Sequence, residues 1–117
     1  MIAPGAGVRI LLAAAPVDFR RGMDALSGVV QQALRENPFG GDVFVFRSKR
    51  ADRIKLLLWD GTGLCLLTKR LEAGRFCWPA PRDGVVRLSA AQLSMLLEGL
   101  DWSRVRPHAP RQPALAG

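Results

Sequence analysis

The sequence predicts an α+β domain: a twisted antiparallel sheet, built as a hairpin meander, with two main helices packed on one face. Three observations predict it. Short runs rich in branched and aromatic residues alternate with turn chemistry. Two segments carry apolar residues at helical spacing. Strands fall before and after a helix, and most are joined by connections too short to hold another one. With 117 residues, 49% of them hydrophobic, the chain has the size of one domain and enough apolar material for a core.

In order, a leader over Met1 to Gly7 reads as flexible, and Val8 to Leu12 reads as a strand that Pro16 and Asp18 break. Met23, Leu26, Val30, Ala33 and Leu34 then recur at helical spacing up to Asn37-Pro38, because the residue before proline avoids helical geometry. Val43 to Phe46, Ile54 to Trp59 and Leu64 to Thr68 form the meander. Its second turn, Asp60-Gly61-Thr62-Gly63, has the glycines a tight hairpin requires. Arg75 to Pro79 reads as an edge strand ended by Pro79 and Pro81, and Val85 to Leu88 as a last short strand. Ser89 and Gln92 have capping-box spacing, Leu93, Leu96, Leu97 and Leu100 make a stripe, and Gly99 is the stop. This second helix runs from about Ala90 to Glu98. Residues 8–102 are thus one domain. Residues 103–117, with Pro107, Pro110, Pro113, Arg104, Arg106 and Arg111, read as a disordered basic tail.

Seventeen Lys and Arg against ten Asp and Glu give a net charge of +7 and a pI near 11.0. That balance favours polyanionic partners through a long-range, salt-screened field. The apolar run Ile10 to Ala15 is too short for a signal peptide and lacks a basic flank before Arg9, and no stretch has the length of a membrane span. The expected location is cytoplasmic, with no membrane partner. Cys65 and Cys77 lie among apolar residues and read as reduced structural thiols.

Catalytic chemistry finds no foothold. Two cysteines and one histidine, His108 in the tail, do not match zinc spacing. A nucleophile would need a base held by the fold. Among the acids, Asp42, Asp52, Asp60 and Glu72 flank strands, but Asp60 reads as turn chemistry, Asp52 as an ion-pair partner for arginine and Glu72 as a solvated loop residue. Gly61-Thr62-Gly63 precedes a strand instead of a helix, the wrong context for nucleotide binding. No catalytic residue, metal ligand or cofactor is therefore expected.

The basic hairpin is the most informative feature. Arg47, Lys49, Arg50, Arg53 and Lys55 fall on and beside one turn, and Lys69, Arg70 and Arg75 lie on or just after the following strand, which the meander brings into the same sheet. Such a ribbon can lie on DNA phosphates or enter a major groove. Equally, a charge run is commonly a solvated face, and edge strands carry Lys and Arg against aggregation. Arg20 and Arg21 form a second cluster at the start of the first helix, with an ion pair to Asp18 or Asp24 as the plain alternative. Most aromatic residues read as core, with Trp78 and Trp102 the better candidates for exposed contacts.

Several segments in order carry a resemblance: Val17-Asp18-Phe19-Arg20-Arg21-Gly22-Met23-Asp24, Asn37-Pro38-Phe39, Val43 to Arg47 running into the basic hairpin, and Lys55 to Trp59-Asp60-Gly61-Thr62-Gly63. They continue through Lys69-Arg70-Leu71-Glu72-Ala73-Gly74-Arg75-Phe76, Trp78-Pro79 and Leu97-Glu98-Gly99-Leu100-Asp101-Trp102. Together they resemble the TnpB-type accessory protein, the second small reading frame, of the bacterial insertion-sequence family sixty-six. The resemblance spans roughly Val8 to Trp102. It implies a role in transposition beside a separate transposase and a second accessory protein, and it carries over no catalytic residue. On this reading the protein is a non-enzymatic factor that binds DNA, at element ends or as non-specific duplex. Two rivals stay open: an adaptor that docks the transposase without touching DNA, and a small nuclease or RNA-cleaving toxin.

Overall fold

Two strands with no polar alternation set the architecture. Ile-Leu-Leu-Ala in β1 (Ile10–Ala13) is buried at every position, as is Val-Phe-Val-Phe-Arg in β2 (Val43–Arg47). Side chains alternate between the two faces of a sheet, so strands buried throughout must be covered on both sides. The computed structural model, which describes residues 7–80 and 84–103, shows how. Elements follow the order β1, α1 (Met23–Gln32), β2, β3 (Arg53–Trp59), β4 (Leu64–Arg70), β5 (Val85–Leu88) and α2 (Ala90–Leu97). The strands form one five-stranded sheet in the order β4-β3-β2-β1-β5.

On one face, Leu26 and Val30 of α1 pack with Leu11, Ala13, Phe44, Phe46 and Leu57. On the other, Leu93 and Leu96 of α2 pack with Ile10, Leu12, Val43, Val45, Ile54, Leu56, Leu58 and Leu88. Phe44 and Phe46 are wholly buried, and each such side chain contributes about 1.5–3 kcal/mol through water exclusion.

The α+β class holds, with two corrections to its layout. The helices lie on opposite faces, not on one, because consecutive apolar residues in the central strands point both ways. The sheet is mixed, not antiparallel throughout: β1 and β2 run parallel, Ile10 beside Val43 and Leu12 beside Val45. A parallel neighbour needs a long return path, and α1 supplies it between the two strands. The other pairings, β1–β5, β2–β3 and β3–β4, are antiparallel.

Local signals act as the sequence suggests at most ends. The Ser89 hydroxyl accepts from the Gln92 amide at 3.1 Å while Gln92 Oε1 accepts from the Ser89 amide at 2.8 Å, a complete capping box. Gly99 takes a left-handed φ of +76° just past α2. In the β3–β4 turn, Asp60 Oδ1 accepts from the amides of Thr62 and Gly63, and Gly61 carries φ +106°. Helix α1 stops before Asn37-Pro38, since Arg35 turns left-handed at φ 57° and the Glu36 amide donates back to Val30.

The segment expected as an edge strand, Arg75 to Pro79, is not a strand. Instead it crosses the α2 face: Phe76, Cys77 and Trp78 join that core cluster, the Phe76 amide donates to the Ala51 carbonyl at 2.7 Å, and Trp78 Nε1 donates to the Ala13 carbonyl at 3.1 Å. Helix α2 has only eight residues, about two turns, and this segment covers the sheet that it leaves bare. Trp102 belongs to the same layer, 7% exposed, its Nε1 donating to the Cys77 carbonyl at 2.7 Å. Neither tryptophan is the exposed contact expected of it; each sends its polar tip to a backbone carbonyl. The proposed leader, apart from Gly7, and the proposed tail beyond Ser103 lie outside the described residues.

Candidate nucleic-acid interface

The turn between β2 and β3 is built by Ser48. Its amide donates to the Arg53 carbonyl at 3.0 Å and its carbonyl accepts from Ala51 at 3.0 Å. Its hydroxyl donates to Asp52 Oδ1 at 3.1 Å and accepts from the Arg53 amide at 3.3 Å. Asp52 is therefore occupied by Ser48, not by an arginine. Two further bonds, Leu71 N–H to the Asp52 carbonyl and Phe76 N–H to the Ala51 carbonyl, tie the chain after β4 onto this tip and bring Arg75 beside it.

The ten basic residues singled out in the sequence separate into two groups. Lys49, Arg50, Arg53, Arg70 and Arg75 are exposed at one end of the sheet, and none forms an ion pair among the described residues. Arg53 and Arg70 are directly opposite each other across β3 and β4. The bonds at Asp60–Gly63 and Asp52–Leu71 set the alternation so that this is a non-hydrogen-bonded pair, the kind in which facing side chains stand closest.

Four of the others are held elsewhere. Arg47 is 8% exposed with Nε lacking a partner; its Nη1 donates to the Lys49 carbonyl at 3.4 Å, and burial pulls its pKa below the usual value. Following Val43 and Val45 at period two, it points to the covered α2 side. Lys55 points to the α1 side, donates to the carbonyls of Phe19 at 2.8 Å and Arg21 at 2.9 Å, and sits 4.9 Å from the Phe19 ring centroid. It anchors the loop that leads into α1. Replacing Lys55 by Met leaves the stem but loses these bonds, and unfolding titrations are expected to show a loss of about 2 kcal/mol. Lys69 donates to the Leu97 carbonyl at the end of α2.

Arg20 forks onto Asp18, Nη2 to Oδ2 at 2.7 Å, so the plain ion-pair alternative describes it; Arg21 is exposed. The Asp18 carboxyl is lowered from 3.8 to about 2, first by the Arg20 side chain and then by the Arg20 amide. A depressed acid favours the folded state above its unfolded pKa, and that contribution is lost as pH falls from about 4 to about 2. In a carbon-detected NMR titration, Asp18 is expected to titrate near 2 and to return toward its ordinary value in Arg20→Ala.

One cluster escaped the sequence reading. Arg9 Nη2 lies 2.8 Å from Glu36 Oε2 and 2.7 Å from Asp42 Oδ2, and the bonds to Glu36 and then Asp42 raise the Arg9 pKa. Arg9 precedes β1 and Asp42 precedes β2, so the parallel pairing brings them together. Recognising that pairing was the only route to it. Cys65 and Cys77 are unbridged, their thiols donating to Asp60 and Asp101 at 3.4 Å each. Among the described residues, no three His, Cys, Asp or Glu side chains gather so as to hold a metal ion, and no helix is long and apolar enough to cross a membrane.

A family model described as IS66 Orf2 like protein matches residues 8–107. The chain belongs to that family. Within it, the IS66 Orf2-like chain is 48% identical over 113 residues to "Uncharacterized protein y4jC" of Sinorhizobium fredii (strain NBRC 101917 / NGR234), covering 97% of both chains. It is 44% identical over 102 residues to "Uncharacterized protein y4hO" of the same strain, covering 87% of this chain and 89% of that one. No solved structure matches it. Membership in the IS66 Orf2-like family assigns the protein an accessory role in transposition of an insertion sequence. The match takes in both helices, all five strands and the basic tip.

Proposed function

We propose that this IS66 Orf2-like protein serves transposition without catalysis, by binding duplex DNA phosphates through the basic end of its sheet and assisting a separate transposase. The observation that carries this reading is the Arg53–Arg70 pair. Like charges directly opposite on a sheet destabilise it, and neither arginine has an acidic partner among the described residues. A polyanion supplies the missing counter-charge, and Lys49, Arg50 and Arg75 extend the same patch. Arginine forks suit phosphate oxygens in pairs. Contacts of this kind position the protein on duplex and do not read sequence.

Fluorescence anisotropy with duplexes from the element's ends and a scrambled duplex, titrated with salt, tests it. The expected result is binding to both, with a log–log salt slope equivalent to about four to six phosphates. Absence of binding at low salt would overturn the proposal.

The adaptor reading has one observation in its favour. Phe39 is 48% exposed while standing edge-on to Trp59, centroids 5.8 Å apart at 89°, at the opposite end of β3 from Arg53. If this aromatic pair docks the transposase, Phe39→Ala reduces co-purification with it from nuclease-treated, high-salt lysate and leaves DNA binding unchanged.

A further inference from the structure

We infer that the outer edge of β4 is a self-association surface, on which a second copy of this chain pairs its own β4 antiparallel about a two-fold axis at Leu67. Strand β4 is the end strand of the sheet, and its seven residues make it, with β3, the longest strand. Residues 67–70 are exposed, and Leu67 is 40% exposed. A long edge with open amides is a template for another strand.

The hydrogen-bond alternation selects which groups are open. Because Asp60 pairs with Gly63 and Leu71 with Asp52, the amides and carbonyls of Cys65, Leu67 and Lys69 turn toward β3. Those of Leu64, Leu66, Thr68 and Arg70 turn outward. In an antiparallel self-pairing centred on Leu67, Leu64 meets Arg70 and Leu66 meets Thr68. Every outward group then faces an outward group, and all seven residues of both strands overlap.

Charge selects the same register. The basic residues of β4, Lys69 and Arg70, sit at one end, and Asp60 sits in the turn at the other. Centring on Leu67 puts Lys69, whose Nζ also donates to its own Leu97 carbonyl, opposite Cys65, whose thiol lies 3.4 Å from Asp60 Oδ2, so each lysine and the other copy's carboxylate share one face and one end of the pairing. Sliding toward the basic end brings Lys69 opposite itself and is repelled. The charges that blunt an edge elsewhere therefore orient the second copy here. On the axis two Leu67 side chains meet and remove each other from water. This pairing uses the backbone edge of β4 and the Leu67 side chain, whereas the DNA reading uses arginine side chains; Arg70 alone belongs to both, its backbone to the pairing and its guanidinium to the patch.

Sedimentation velocity on nuclease-treated protein, stripped of nucleic acid in high salt and returned to about 0.15 M salt so that surface charges still act, reads the oligomeric state with no nucleic acid to bridge copies. The expected result is a concentration-dependent dimer whose dissociation constant rises about tenfold or more in Leu67→Lys, which sets two ammonium groups against each other at an already exposed position. In a Cys65→Ala/Cys77→Ala background, Leu67→Cys is expected to form a disulfide dimer on mild oxidation, because facing residues of a non-hydrogen-bonded pair fall within disulfide range. Thr68→Cys, offset from itself in this register, is not. A monomer at the highest attainable concentration, a dimer indifferent to Leu67→Lys, or equal cross-linking at both positions would each overturn the proposal.

Discussion

Arg53→Gln/Arg70→Gln is expected to weaken DNA binding on the order of ten- to a hundredfold near 0.1 M salt and to flatten the log–log salt slope by about 2, since each lost phosphate contact removes close to one unit. The same double variant is expected to fold at least as stably as the parent. The two arginines face each other across β3 and β4, and neutralising a directly opposed like-charge pair returns a few tenths of a kcal/mol, up to about 1. The opposite signs make the test specific. A patch that merely keeps the edge in solution would lose nothing in affinity, and a patch that held the fold together would lose stability. Anisotropy titration and urea unfolding of the same preparations read both quantities.

Trp102→Ala is expected to cost about 3–5 kcal/mol, a large share of the stability of a domain this size. Trp102 is 7% exposed within the α2-side core, and it closes the layer that the short helix α2 and residues 75–79 form together. Its removal opens a cavity and leaves the Cys77 carbonyl without the indole N–H that now reaches it at 2.7 Å. Trp102→Phe retains most of the ring volume and is expected to cost much less, about 1–2 kcal/mol for the unpaired carbonyl and the lost ring edge. Thermal or denaturant unfolding of the two variants separates packing from hydrogen bonding.

What could be read without coordinates was local. Ser89 and Gln92 announce a capping box because both of its bonds close within four residues. Asp60-Gly61-Thr62-Gly63 announces a turn because one carboxylate and one left-handed glycine suffice to make it. The meander from Val43 to Thr68 follows from hairpins whose strands are neighbours in sequence, and the family segments are contiguous strings of residues. The basic tip was legible for the same reason.

Pairings distant in sequence were decided by the fold. Arg9 meets Glu36 and Asp42 only because β1 and β2 are parallel. Lys55 ceases to be a surface cation because α1's leading loop lays two carbonyls over it. The expectation of both helices on one face failed because the runs Ile10 to Ala13 and Val43 to Phe46 are buried on both sides, and which helix covers which face depends on the path of the chain between them. Arg47 shows the difference in one residue. Its place in a basic run suggests a phosphate contact, but it continues the inward phase of Val43 and Val45 and is buried. Sequence alone determined the two helices, the five strands, the turns, the family and the charge, since those arise from neighbouring residues, while Arg75 to Pro79, read locally as a strand, forms none in the fold. The tertiary structure decided which cations remain open to a polyanion, because exposure depends on what the rest of the chain places on top of each side chain.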